Sequence, residues 1–268
     1  MRNLIVKIFR RIALIFRNVK ASLNTVVQVH AKGKLSREAG VKLRNATVKV
    51  GRDSSLSLEA GVQISNCRLR VGEGCKVVIR KGAVLKDLNF FIQNQSEVLL
   101  GEGCIFDGPA ELPKIMYIDN GKLIVGEKAH IQSSVVVRFG AELRIGKFSS
   151  SGYGSEIVCE ERIEIGDFCL FSYDVCIYDT DSHSINSDER RQSIEQGYPF
   201  GAHETTKPAT SPIIIGNDVW IGKGAAVLKG AKVGDGCIVG MRTVLGRGSY
   251  PPGSTIVSDP PRIIVKNN

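Results

Sequence analysis

Apolar positions in this chain recur at intervals that neither a helix nor an ordinary strand produces. Towards the C-terminus Ile215, Ile221, Val227, Val233, Val239 and Leu245 fall six residues apart, and glycine follows five of them, as Gly216, Gly222, Gly234, Gly240 and Gly246. A longer rhythm overlies this one. Aliphatic-Gly pairs stand at Val50, Val71, Leu100, Val125, Ile145, Ile165, Ile215 and Val233, spaced 21, 29, 25, 20, 20, 50 and 18 residues apart. A period of six matches neither the 3.6-residue helix nor the two-residue strand. It matches a coil of three short strands with a turn at each corner. One aliphatic side chain per face points inward, and glycine or a small residue permits the corner. Eighteen residues make a coil, and spacings of 20 and 21 are coils with small corner bulges. A coil buries its inward residues only by stacking on the next, so the pattern predicts an all-β parallel solenoid.

Two stretches break the rhythm. The gap between Ile165 and Ile215 exceeds what two coils need, and its excess lies in the polar segment 184–211, with Gly197, Pro199 and Pro208. This segment is expected to be a loop extruded from the solenoid, and long loops on rigid scaffolds commonly carry function. A second break lies around Asp107–Asn120, with Pro109 and Pro113, and reads as a surface bulge. The first residues follow another pattern. At 100° per residue, Leu4, Ile5, Ile8, Phe9, Ile12, Ile15, Phe16 and Val19 share one side of a helix, opposite Lys7, Arg10, Arg11 and Arg17. Such a helix can lie in an anionic membrane interface or pack as a cap on the solenoid. The expected organisation is a basic amphipathic helix in 1–24, the β-helix in 25–257 with 184–211 extruded, and a tail in 258–268.

Charge sharpens this division. The net charge is +9, and nine basic residues precede the first acidic one, Glu38. The remaining 27 Lys and Arg balance 27 Asp and Glu, so the body is neutral. A nucleic-acid-binding body would carry a basic face, so no nucleic-acid partner is expected. With 43% hydrophobic residues the chain is not a disordered one, and no apolar run approaches the roughly 20 residues of a membrane span. The seven cysteines contain no C-x-x-C pair, and the basic N-terminus lacks a signal peptide's apolar core, so buried free thiols in a reducing compartment are expected.

Two stretches carry candidate chemistry. Asp179-Thr-Asp181-Ser-His183-Ser-Ile185 stands immediately before the large loop, and Pro212-Ile-Ile-Ile-Gly-Asn-Asp-Val-Trp-Ile-Gly222 opens the regular C-terminal coils. Both resemble the hexapeptide-repeat acyltransferases, over roughly residues 45–262, and within that family the sugar and polysaccharide O-acetyltransferases. The resemblance implies a left-handed parallel β-helix, a homotrimer, and acetyl-CoA as cosubstrate without a metal. It implies that His183 is the general base, a residue type whose pKa suits proton transfer near neutrality. Asp181 or Asp179 would then hold the imidazole tautomer. Asp174 occupies a position where many relatives carry Asn near the acceptor. With Tyr173, His203 and Arg190 it forms the expected acceptor set.

The family's donor groove runs along the last coils between neighbouring subunits. Matching positions here are Trp220, Gly222, Lys223, Gly240, Met241, Gly246, Arg247 and Arg262, with cations facing the phosphates of coenzyme A. Two departures stand out. Gly240-Met-Arg-Thr243 replaces the usual Gly-Ala-Gly-Ser, and Ser258-Asp-Pro-Pro-Arg262 replaces Gly-Asn-Pro-Ala-Lys. The expected activity is direct acetyl transfer, in a ternary complex, to a sugar hydroxyl of a surface polysaccharide or its precursor. Its expected setting is cytoplasmic, with the basic helix at the inner face of the membrane. Alternatives are an N-acyltransferase on an amino sugar nucleotide and a catalytically silent scaffold. A serine acetyltransferase would need a large N-terminal helical domain. A β-helical zinc hydratase needs an H-x4-H pair, whereas the four histidines are 100, 53 and 20 residues apart.

Overall fold

The computed structural model describes residues 25–108, 114–199 and 207–258. The N-terminal helix read in 1–24, part of the break after Asp107, His203, and the tail from 259 with Arg262 lie outside the described residues. The rest is a parallel β-helix. Thirty strands run from β1 (Val26–Val29) to β30 (Thr255–Ile256) and sort into three sheets of ten, each sheet taking every third strand. Ten coils are therefore stacked, and every strand pairs in parallel with the strand one coil away.

The six-residue rhythm sends an inward side chain to each sheet in turn: Ile215 lies in the second, Ile221 in the third and Val227 in the first. In the second sheet Leu56, Val77, Val98, Leu123, Leu143, Ile163 and Ile213 follow one another in register, all almost fully buried. Each inward Leu, Ile or Val contributes about 1.5–3 kcal/mol by leaving water. Six of the seven cysteines are buried and all are free; burial pushes the thiols of Cys67 and Cys104 up to about 12.

Corners are turned by residues in the left-handed region, which glycine adopts without strain. Between the third and first sheets that position falls to Gly154, Asp174, Gly224 and Arg242 in four successive coils, at φ 75, 59, 70 and 57°. Arg242 thus takes the corner conformation itself instead of abolishing the corner. Corner side chains stack from coil to coil. Asn45 Nδ2 donates to Asn66 Oδ1, and Asn66 Nδ2 donates to Asp87 Oδ1, at 2.9 and 2.8 Å. Phe148 stacks on Phe168 with centroids 5.2 Å apart, and Tyr153 on Tyr173 at 6.4 Å.

The large insertion leaves the solenoid after β22 (Cys176–Tyr178) in the first sheet and returns at β23 (Ile213–Ile215) in the second. Its limbs pair. Thr180 bridges Thr210 antiparallel, the Asp181 amide donates to the Ala209 carbonyl at 3.0 Å, and the Ser211 amide donates to the Asp179 carbonyl at 2.9 Å. The segment is not all loop, as the polar composition led us to expect. It contains α1 (Ser187–Gly197), whose first turn is capped by the Asn186 side chain accepting from the Asp188 amide at 2.8 Å. Asp188 and Glu189 favour that helix end electrostatically. Only Ser193 and Gly197 of this helix are buried, which is why no apolar stripe announced it.

Candidate active site

His183 sits on the insertion's first limb, at the corner between the first and second sheets in the eighth coil. What sets its position is a ladder of buried polar groups at that corner. Asp179 is fully buried, and its carboxylate accepts three backbone amides of the coil before: Glu160 at 2.7 Å on Oδ1, and Glu161 and Arg162 at 2.9 and 2.8 Å on Oδ2. Burial raises its pKa, and the three amide donors act against that rise. Thr180 Oγ1 donates to Glu160 Oε2 at 2.6 Å. Glu160, itself fully buried, takes Arg138 on its other oxygen, with the Arg138 Nε at 2.7 Å. Thr180 Oγ1 also accepts from the Ser182 amide at 2.9 Å. Ser182 lies at φ 64° and turns the chain into His183, which is partly exposed.

The two carboxylates expected to orient the imidazole therefore have work elsewhere. Asp179 closes the corner amides of the seventh coil. Asp181 forms an ion pair with Lys229 of the ninth coil, at the same corner. Arg190 Nη1 donates to the Ser184 carbonyl at 2.9 Å, which ties α1 to the residue after His183. Within one chain this corner brings together His183, Asp179, Asp181 and Arg190. It adds Glu160, Arg138, Thr180 and Lys229, which the sequence reading passed over. Thr180 stood in view inside the Asp179–Ile185 stretch. The others lie in different coils, and their shared corner emerges only once the register Tyr178–Leu228 is known across the long gap.

The remaining candidates lie apart. Asp174 and Tyr173 occupy the other end of β22, about 16 Å away at some 3.3 Å per residue from Asp174 to Asp179. Asp174 faces Lys223 at 3.9 Å, and Tyr173 is 53% exposed. Gly222, Lys223, Gly240 and Met241 share that third-to-first corner, whereas Gly246 and Arg247 lie on the His183 corner two coils on. Trp220 projects from the third sheet, in register with Leu170 and Ile238, and these three side chains are 48%, 52% and 38% exposed. The expected donor residues thus do not line one groove within a single chain. Gly222 also has a structural reason for being glycine. A Cβ there would lie 2.7 Å from the Met241 amide nitrogen, so the next coil could not stack. His130, which lies outside these motifs, meets Asp107 Oδ1 through Nε2 at 3.0 Å on the third sheet.

Comparison with known proteins agrees with this architecture. Residues 212–247 match the model of the bacterial transferase hexapeptide (six repeats). The chain is 27% identical over 144 residues to a galactoside O-acetyltransferase of Escherichia coli, covering 54% of this chain and 64% of that one. It is 27% identical over 132 residues to a polysialic acid O-acetyltransferase of Neisseria meningitidis, covering 43% of this chain and 55% of that one. The match thus spans less than two thirds of either relative. Among solved structures, a polySia-specific acetyltransferase aligns over 86% of this chain and 79% of its own, with 19% identity and a TM-score of 0.47. The chain carries the hexapeptide repeat on a β-helical fold, and the two curated relatives named above are O-acetyltransferases.

Proposed function

We propose that this protein is an acetyl-CoA-dependent O-acetyltransferase acting on a sugar hydroxyl of a surface polysaccharide or its precursor, with His183 as the general base. The observation that carries the reading is His183 itself. It is a partly exposed imidazole at the mouth of a long insertion, on a turn whose base is fastened by Asp179, Thr180 and Glu160. A base must be held within hydrogen-bond reach of the proton it takes, and a rigid corner supplies that constraint. The curated relatives that act on galactosides and polysialic acid support the choice of a sugar acceptor.

In this reading the acceptor hydroxyl gives its proton to His183 as its oxygen attacks the thioester carbonyl. The tetrahedral intermediate collapses, the carbon–sulfur bond breaks, and the imidazolium returns the proton to the leaving thiolate. Transfer is direct within a ternary complex. Asp179 and Asp181 act by holding the limb that carries His183, the first on the coil before and the second on the coil after. Acetyl-CoA needs cations for its phosphates and an apolar wall for its arm. Lys223, Arg247, Trp220 and Met241 have that chemistry, but on different corners of one chain. A homotrimer reconciles them, because a neighbouring copy can bring its third-to-first corner, with Asp174 and Lys223, against the His183 corner. The exposed row Leu170, Trp220 and Ile238 supports a face that another copy covers.

The direct test is turnover with acetyl-CoA and a panel of oligosaccharides, together with a thermal melt. Acetyl-CoA at about 100 times its Kd should stabilise the fold by about 2.7 kcal/mol. Neither a shift in the melt nor turnover with any acyl-CoA would leave the scaffold reading in its place. Activity on amino groups alone would point to N-acyl transfer.

A further inference from the structure

Three polar side chains share one register position at the corner beneath His183. Val137 pairs with Cys159 and Val158 with Tyr178, so Arg138, Glu160 and Thr180 stand one above another in the sixth, seventh and eighth coils. Among the described residues only two carboxylates are fully buried, Glu160 and Asp179, and both belong to this corner. A buried ion pair adds little net stability over a well-packed apolar corner, because both charges give up water. What such a column supplies is direction.

The direction can be read bond by bond. Glu160 Oε1 receives the mostly covered Arg138 guanidinium, with Nε at 2.7 Å. Phe139, at φ 60°, sets its ring centroid 5.0 Å from that guanidinium carbon. Glu160 Oε2 is left to meet Thr180 Oγ1 at 2.6 Å. A carboxylate held by an arginine only accepts, so the Thr180 hydroxyl turns its proton towards Glu160. Its lone pairs then point away, and one of them takes the Ser182 amide at 2.9 Å. With the hydroxyl reversed, a proton would face that N–H. Ser182 is held at φ 64°, in a left-handed conformation that a residue with a Cβ adopts infrequently, and His183 follows it.

We propose that Arg138, Glu160 and Thr180 are positioning residues for the reaction. They fix the direction of one hydroxyl, and that hydroxyl holds the left-handed turn which aims the His183 imidazole. The proposal rests on His183 being the base, as argued above. Arg138 decides which oxygen of Glu160 is free, Glu160 orients the hydroxyl, and Thr180 acts through the Ser182 amide and not on the substrate. Misplacing a catalytic group by about 1 Å costs about a hundredfold in rate. The effect of the column therefore falls on kcat and leaves acetyl-CoA binding alone.

The test compares Thr180→Val, which keeps the shape and removes the hydroxyl, with Thr180→Ser, which keeps the hydroxyl. Thr180→Val should lower kcat by about ten- to a hundredfold with KM for acetyl-CoA within about twofold, and Thr180→Ser should recover most of that loss. A second readout needs no turnover. With 13C-labelled histidine, each of the four histidines gives one ring Cε1–H signal, and that of His183 is the one missing from His183→Ala protein. It should shift or broaden in Thr180→Val and return in Thr180→Ser, with the other three signals in place. Should Thr180→Val not fold, Glu160→Gln replaces it, because an NH2 turned to Thr180 reverses the hydroxyl; the same losses are expected. Parental kcat with an unmoved His183 signal in Thr180→Val overturns the proposal. So does a loss in Thr180→Ser that Thr180→Val does not share, which would make the methyl group the cause. Turnover retained in His183→Ala strikes the base itself and the proposal with it, whereas turnover lost there and kept in Thr180→Val strikes the column alone.

Discussion

Replacing Asp179 with Asn separates an anchor from a catalytic partner. The carboxylate accepts three amides of one corner, two of them on the same oxygen. Asparagine keeps one acceptor oxygen and turns an NH2 towards the remaining amide. Its best arrangement preserves the Glu161 and Arg162 bonds as neutral ones and leaves the Glu160 N–H facing another donor. A buried donor without a partner costs about 1–3 kcal/mol, and the two surviving bonds lose their charge assistance. Removing a buried charge whose pKa is already raised by burial gives part of this back. The expected net loss is roughly 2–3 kcal/mol, which lowers Tm by about 4–5 °C in a chain of this size. The assay is a thermal or urea melt alongside the pH dependence of kcat/KM. An anchor predicts the loss of stability, with the pH profile keeping its shape at whatever activity survives. A Tm within about 1 °C of the parent, together with a displaced or abolished basic limb, would refute the anchoring argument and restore Asp179 to the imidazole's partner.

Other outcomes follow from the same description. His183→Ala should lower kcat by about a hundredfold or more while Tm stays within about 1–2 °C, because a partly exposed general base contributes to the reaction and little to the core; retained turnover would refute the role. Glu160→Ala should destabilise by about 3 kcal/mol, since it leaves the mostly covered Arg138 charge without its fully buried carboxylate, as read by urea melts. Arg242→Gly should leave stability unchanged or raise it by up to about 1 kcal/mol, because the corner at φ 57° asks nothing of a side chain. Burial raises the pKa values of Cys67 and Cys104 in the folded chain to about 12, from an ordinary thiol's 9.0. Their contribution is whole below pH 9 and is lost as pH rises towards 12, because the unfolded thiols ionise first. Melts across that range should show falling stability, and native-state alkylation of the two should stay slow below it.

The solenoid was legible because each coil must place one aliphatic side chain inward per face, and that demand recurs whatever the corners do. It was clearest where coils are shortest, from Ile215 to Leu245, and blurred where corner bulges stretch them to 20 residues or more. His183 was legible as chemistry because an imidazole between carboxylates at the edge of a polar break is an uncommon juxtaposition. The ladder beneath it was not. Arg138, Glu160 and Thr180 are neighbours only through stacking, and their charges look like those of any solvated corner. Helix α1 escaped because it buries almost nothing, so periodicity had no purchase on it. The donor residues were assigned by resemblance to a groove between neighbouring subunits, and a three-sided coil sends successive corners of one chain to different edges of the prism.

The extruded segment also bears on how the chain reaches this state. Elsewhere the corner between the first and second sheets takes two to four residues, two at Glu160–Glu161 or Lys229–Gly230, whereas after β22 it takes 34. Each doubling of a loop adds about 0.6 kcal/mol of closure entropy, so about three to four doublings set back the joining of the eighth coil by roughly 2–2.5 kcal/mol. The paired limbs at Thr180 and Thr210 shorten the effective loop to a corner again once they zip. Coils on either side can propagate by nearest-neighbour stacking, while the junction between them waits for those limbs to meet. The step that completes the prism is then the same step that seats His183, so a chain arrested before it would hold most of its sheet and none of its proposed chemistry.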